Sequence, residues 1–329
     1  MSSQKSRSLL GSGSVVGAAV LWGTVGPAQV LAKAPIGPSA LGGWRLLIGG
    51  VVLGVFCMPH LRRFRLPTVR RAWRTILVCA VSTGVFQVAF LHSVSRTGAA
   101  LATVVALGTA PAATGVCARW VTGERIRASW LVSTVAAVGG CALLLAPGGA
   151  GVDAVGLLLG GVAGACYGLY TVFAKKFALE NPDVDAPAAA AISLVAGAFM
   201  LLPWMATDTA GLPDLRSVTL IAWLGVVTSA AAYWMFTTGL NHVNATTAGT
   251  LSLVEPLAAS VLGVLILGER LSATALAGCL MLLGGLVVVS LPYPRRLRNF
   301  VTPGSAFAGD QSAGRAEGGT LPPASTCTT

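Results

Sequence analysis

The stretches PAATGVCARWVTGER (residues 111–125) and PLAASVLGVLILGER (residues 256–270) lie 145 positions apart and decide the fold of this chain. In register, Pro111 falls on Pro256, Ala113 on Ala258, Val116 on Val261, and Gly123-Glu124-Arg125 on Gly268-Glu269-Arg270. Apolar helices share residues by composition alone. A charged Gly-Glu-Arg triplet at a fixed distance from a proline, repeated without a gap, needs another cause. The same offset carries Ala128 onto Ala273, Gly139-Gly140 onto Gly284-Gly285, and Pro147 onto Pro292. Upstream it carries Trp22-Gly23 onto Tyr167-Gly168. The chain is therefore two related halves.

The halves are built for lipid. Of the 329 residues, 54% are hydrophobic and 10% charged, with a mean hydropathy of +0.77. Soluble domains carry about 25% charged residues, and a water-facing surface this apolar would be one large greasy patch. A bilayer core of about 30 Å needs about 20 apolar residues per helix. Ten runs of that kind are predicted: Gly11–Ala32, Ala40–Met58, Trp73–Ser93, Gly98–Ala118, Ala128–Ala146, Ala154–Ala174, Ala186–Ala206, Val218–Thr238, Ala245–Leu267 and Ser272–Leu291. Lys5 and Arg7, an apolar stretch, and then Ala32-Lys33-Ala34 imitate a cleaved leader. The stretch is too long for one, and its removal would orphan the repeat, so it is kept as the first span.

The net charge of +11 invites a nucleic-acid reading, but the cations sit between apolar runs and form no single patch, so no nucleic acid is expected. With the N-terminus cytoplasmic, 17 Lys and Arg fall on the cytoplasmic side and four on the outer side, with Arg45 inside a span. That bias sets the orientation and favours an even number of spans with both termini cytoplasmic. The expected organisation is a cytoplasmic segment at 1–10, five helices at 11–147, five at 154–292, and a cytoplasmic, disordered tail rich in Gly, Ser, Ala, Pro and Thr at 293–329. An odd number of spans per half forces the second half in upside down. The fold class is then all-α, with ten transmembrane helices as two inverted five-helix repeats. Transporters recur on this plan, with the site near the midplane between repeats.

Six cysteines lie in or beside apolar runs, Cys327 is in the tail, and no Cys-x-x-Cys occurs; they read as small apolar residues. His60, His92 and His242 are the only histidines, and none pairs with a carboxylate on a helix face. No phosphate loop, metal motif or nucleophile elbow is visible, so neither an enzyme nor a cofactor is expected.

Polar residues inside spans are the candidates for function. Glu255 stands ten positions into its span, about 15 Å deep at ~1.5 Å per residue. A carboxylate there is costly unless it is protonated, paired or facing a wet cavity. It suits proton coupling or a counter-charge for a cation; a structural hydrogen bond is the alternative. Its helical face carries Thr247, Ala248, Ser252 and Ala259, and Ser252 joins the candidates. Pro111 and Pro256 interrupt spans four and nine and leave the carbonyls of Leu107 and Ser252 without their usual partners, as hinges or as static kinks. Arg45, early in span two, either snorkels to the headgroups or attracts an anion in the cavity. Gln87, Tyr167 and Tyr170 offer hydrogen bonds to a solute or a neighbouring helix, and Trp22 caps the cavity or packs. Gly156, Gly160, Gly164 and Gly168 form a seam for close helix contact. The Gly-Glu-Arg loops cap the following helix or pair across a gate.

Trp22-Gly23, Trp44-Arg45 and the paired Pro-x12-Glu-Arg blocks, the second preceded by Glu255, together resemble the EamA-like family of the drug/metabolite transporter superfamily, over residues 11–292. The resemblance implies a ten-helix plasma-membrane transporter whose helices one, three, four, six, eight and nine line a central cavity. It also implies efflux of a small metabolite, amino acid or drug-like solute by alternating access. Arg45 falls on Ala190, so that charge is not duplicated. The expected partners are a small-molecule solute, protons as coupling ion and membrane lipids; the sequence allows a homodimer. A lipid or lipid-linked flippase of the same fold is the alternative, and an intramembrane enzyme a more distant one.

Overall fold

A computed structural model describes residues 2–61, 66–144, 153–268 and 272–290. Glu269, Arg270, Pro147, Pro292 and the expected tail 293–329 lie outside them, as do Arg62, Arg63 and Arg65. Every regular element among the described residues is helical: α1 (Ser2–Gly23), α2 (Val25–Ala32), α3 (Pro38–Phe56), α4 (Met58–Leu61), α5 (Leu66–Thr97), α6 (Ala99–Val121), α7 (Ala128–Leu144) and α8 (Ala154–Glu180). There follow α9 (Ala186–Phe199), α10 (Leu202–Thr207), α11 (Leu215–Gly225), a π-helical segment (Val226–Ala231), α12 (Ala232–Leu240), α13 (Ala245–Leu251), α14 (Val254–Leu267) and α15 (Ala273–Ser290).

Among the described residues, seven stretches are long and apolar enough to cross a membrane: Ser8–Ala32, Pro38–Phe56, Arg71–Thr97, Leu101–Val121, Ala154–Glu180, Leu215–Leu240 and Ala245–Leu267. Ala128–Leu144, Ala186–Phe199 and Ala273–Val288 are shorter apolar helices. Large apolar side chains point outward from the bundle, including Trp120, Leu158 and Leu265, at 85%, 71% and 75% exposure. That is the surface expected of a protein solvated by acyl chains. The helices outrun the apolar runs at several ends. α5 spans Leu66–Thr97 where Trp73–Ser93 was expected, because basic residues end hydropathy without ending helical backbone.

Polar residues mark the ends. Asp153 caps α8, its carboxylate accepting from the N–H groups of Val155 (2.8 Å) and Gly156 (3.1 Å). Pro38 and Pro187 stand in the first turns of α3 and α9. The Gly37 N–H ahead of α3 donates to Asp208 at 2.7 Å. Gly123 and Gly268, the first residues of the repeated triplets, both adopt left-handed backbone, with φ of 70° and 69°. A Cβ is disfavoured there, which is why both turns use glycine.

Two rods break where their counterparts in the other half run straight. The first breaks at Thr24, whose hydroxyl donates to the Leu21 carbonyl (2.7 Å). The ninth apolar stretch breaks at Ser252-Leu253, just before Pro256. There the Ser252 carbonyl, denied the N–H of residue 256, accepts from Glu255 N–H instead at 3.0 Å. α6 runs unbroken through Pro111, and α8 unbroken through Tyr167-Gly168. The expectation that both prolines interrupt their helices thus meets a divided chain only at Pro256.

Packing follows small residues. α8 lies on α5 and α6, and α1 on α12, α13 and α14; α3 packs on α9, and α7 on α15. A Cβ on Gly168 would stand 2.7 Å from Thr114 N and 2.9 Å from Ala113 Cβ. On Gly23 it would stand 2.7 Å from Ala258 Cβ. These two contacts are related by the same 145-residue shift seen in the sequence. The largest buried cluster, around Val15, Trp22, Tyr170, Phe236, Leu240 and Leu251, lies where these rods converge.

Candidate functional site

A cavity of about 150 Å³ opens among these rods. At one water per roughly 10–15 Å³ of such space, it holds on the order of ten waters. α3 contributes Pro38, Leu41, Gly42 and Arg45 from its first turns, and α6 contributes Thr103, Ala106, Leu107 and Ala110. α5 contributes residues from Ser82 to Leu91, near its C-terminal end, and α2 adds Val25 and Gln29. These positions run from the middle of α5 and α6, at Ser82 and Ala110, toward the end of the bundle where residues 33–37 and Gly98 connect the rods. The cavity therefore reaches one end. Toward the other, Ala118, Val172, Leu240 and Ala245 are packed at 0% exposure.

Aromatic rings make the floor. Trp22 stands edge-on to Tyr167 (6.1 Å between centroids) and Tyr233 (5.7 Å), and tilted against Phe236 (5.3 Å). Tyr170 stands edge-on to Tyr233 at 5.5 Å, and Phe86 lies 6.3 Å from Tyr167. Such rings present negative faces to a cation and apolar area to a hydrocarbon.

Two opposite charges share this space. Arg45 and Glu255 both line the cavity. Among the described residues the ion pairs are Arg96–Asp153 and Lys176–Glu180, so Arg45 and Glu255 face the cavity without closing on each other. Arg45 Nε and Tyr170 Oη are buried with no hydrogen-bond partner among the described residues.

Of the residues singled out in the sequence, Trp22, Arg45, Gln87, Tyr167, Tyr170 and Glu255 line this one cavity. Ser252 stands behind the wall and accepts a 2.6 Å hydrogen bond from the Tyr167 hydroxyl. Pro256 follows Glu255 and Pro111 follows Ala110, each next to a lining residue without lining the cavity itself. Sequence reasoning missed Thr83, Gln29 and above all Tyr233. Leu224 and Tyr233 both line the cavity although nine residues separate them. In an unbroken α-helix they would lie about half a turn apart, on opposite faces. The wider turns of the π segment between them restore a common face.

The sequence profile of the EamA-like transporter family matches residues 9–146 and again 154–291. The chain is 36% identical over 278 residues to the uncharacterized transporter YwfM of Bacillus subtilis (strain 168), covering 83% of this chain and 91% of that one. It is 24% identical to the uncharacterized inner membrane transporter YicL of Salmonella typhimurium, covering 85% and 95% respectively. A solved crystal structure superimposes with a TM-score of 0.71 at 21% identity, over 86% of this chain and 96% of that one. At that identity the likeness is one of fold.

Proposed function

Since the chain belongs to the EamA-like transporter family, we propose that it is a secondary transporter that carries a small polar solute across the cytoplasmic membrane through this cavity. The single observation that carries the reading is that Arg45 and Glu255, on different helices, face one small aromatic-floored cavity without pairing. A cavity for about ten waters suits a metabolite, amino acid or drug-like solute.

In this reading the rods are ten spans, arranged as two inverted five-helix repeats with both termini cytoplasmic. Helix pairing supports it. α1 on α12 corresponds to α8 on α5 when the halves are exchanged, and α1 on α14 corresponds to α8 on α6. The pairs α3–α9 and α7–α15 map onto themselves. The breaks at Thr24 and Ser252-Leu253 have straight equivalents in α8 and α6. Two similar halves in different shapes are what alternating access needs, since exchanging the shapes turns the cavity to the other side. The cationic bias of the loops puts the open end outside, which suits release of an exported solute. Glu255 is the coupling group: protonated it is neutral in the low-dielectric wall, and ionised it draws a cation to the aromatic floor.

The test is transport by the purified protein in proteoliposomes, across a panel of small solutes, with and without a pH gradient. Transport that responds to the gradient in wild type but not in Glu255→Gln supports the reading. Equal responses in both remove Glu255 from coupling.

A further inference from the structure

The closed end of the bundle is held by charges that the cavity does not use. After the left-handed turn at Gly123, the Glu124 carboxylate turns away from α7, the helix that follows it, and crosses to α13. It accepts from the N–H of Ala245 at 2.8 Å, the N–H of Thr246 at 3.2 Å and the Thr246 hydroxyl at 2.9 Å. Asn244, at the cap position of α13, offers that helix no side-chain bond of its own. On the other side of the same turn, the Lys175 ammonium donates to the Leu240 carbonyl, the last residue of α12, at 2.6 Å. An anion at a helix start and a cation at a helix end both oppose the local backbone charge. Lys175 is 8% exposed and lies within electrostatic reach of Glu124. The turn of residues 241–244 is thus gripped from both sides by opposite charges that also attract each other. Trp130 adds a third hold, its indole N–H donating to the Thr246 carbonyl at 3.1 Å.

We propose that Glu124 and Lys175 are the latch of the closed end, and that releasing the turn of residues 241–244 is what lets the cavity open there. The proposal rests on the transporter reading. The geometry behind it is the placement of three bonds to Glu124 and one to Lys175 at the junction of the two helices, α12 and α13, that would have to part from α6 and α8. Below the latch Ala118, Val172 and Ala245 pack closely, with Leu240 also buried at this end. Close contact of small residues can separate without leaving bulky groups unpaired; the charged bonds are what must break first.

Hydrogen–deuterium exchange of the full-length protein in lipid nanodiscs, without added solute, tests it. In wild type, peptides from residues 241–251 exchange slowly. Glu124→Ala is expected to speed them about tenfold, the loss of roughly one charge-assisted bond, while slowing residues 25–32 and 99–107 at the opposite end severalfold. Lys175→Met gives the same reciprocal pattern, and the milder Glu124→Gln a smaller one. Faster exchange at 241–251 with no slowing at the far end would mean that Glu124 is a helix cap and nothing more, and the latch is overturned; so would no change at all. Because no solute is added, reciprocal exchange in a protein that transports nothing from the panel sinks the transport reading and leaves the latch.

Discussion

The Tyr167 hydroxyl donates a 2.6 Å hydrogen bond to Ser252 Oγ, tying α8 to the break between α13 and α14. Ser252 Oγ in turn donates to the Ala248 carbonyl at 2.9 Å. Tyr167→Phe keeps the ring against Trp22 and removes only the bond. It should cost about 0.5–1.5 kcal/mol, read as a lower unfolding midpoint in detergent. The transport rate should change more than the apparent affinity, because the bond holds a junction between helices.

Close approach at the repeated glycines gives a matched pair of tests. Gly23→Ala would place a Cβ 2.8 Å from the Glu255 carbonyl, and Gly168→Ala would place one 2.7 Å from Thr114 N. Each should cost about 1–3 kcal/mol, the usual range for overpacking. Gly13→Ala and Gly161→Ala, with nothing within 4 Å, should be neutral or slightly stabilising. Thermal unfolding of the four variants checks the contrast.

Arg45→Ala should reduce transport of a carboxylate-bearing solute at least about tenfold, the loss of roughly one charge-assisted contact. Arg45→Lys should recover only part, because an ammonium replaces a planar fork. Uptake of a neutral analogue should be little changed. Equal losses for acid and neutral solutes would assign Arg45 to the fold and not to the site.

Tyr233→Phe removes a hydroxyl from the cavity and leaves the ring beside Trp22 and Tyr170. The fold should be unaffected, while the ranking of solutes in a competition assay should shift toward less polar ones. An unchanged ranking counts against a contact between this hydroxyl and the cargo.

At the end of α5, Arg96 pairs with Asp153 at 3.2 Å. The Gly156 N–H chiefly, with Arg96 and the Val155 N–H adding to it, holds the Asp153 carboxyl below its ordinary range. A carboxyl lowered in the folded state stabilises it at pH values above its unfolded titration, near ~4, and loses that contribution as pH falls through the folded value. Asp153→Ala should therefore lower the unfolding midpoint at pH 7, and the gap between variant and wild type should close in acid.

The sequence made the rods and the cavity wall legible for a simple reason. In a chain with 10% charged residues, Arg45 and Glu255 inside apolar runs needed a wet or paired environment, and both line the cavity. Tyr233 was invisible because its facing depends on a π segment that no residue in Val226–Ala231 announces. The break at Thr24 was overlooked although Pro27 stands three residues on, in the first turn of α2; Trp223, 199 positions away, donates to the Thr24 hydroxyl there at 3.3 Å. Glu124 was expected to cap its own neighbour or to pair across a gate; it does not cap that neighbour, and its partners lie 121 and 122 positions on, across the half-boundary. Local pattern reports which residues are unusual; only the assembled bundle decides what they meet.

The modest size of the chamber sets the terms on which anything passes. On the transport reading, a solute would exchange part of its hydration shell at the mouth for one guanidinium, one carboxyl and a few phenols and amides. Selectivity then follows from how well that short set of groups substitutes for water. Molecules that carry the right headgroup on too long a body should lodge in the opening and jam the cycle, acting as blockers and not as cargo.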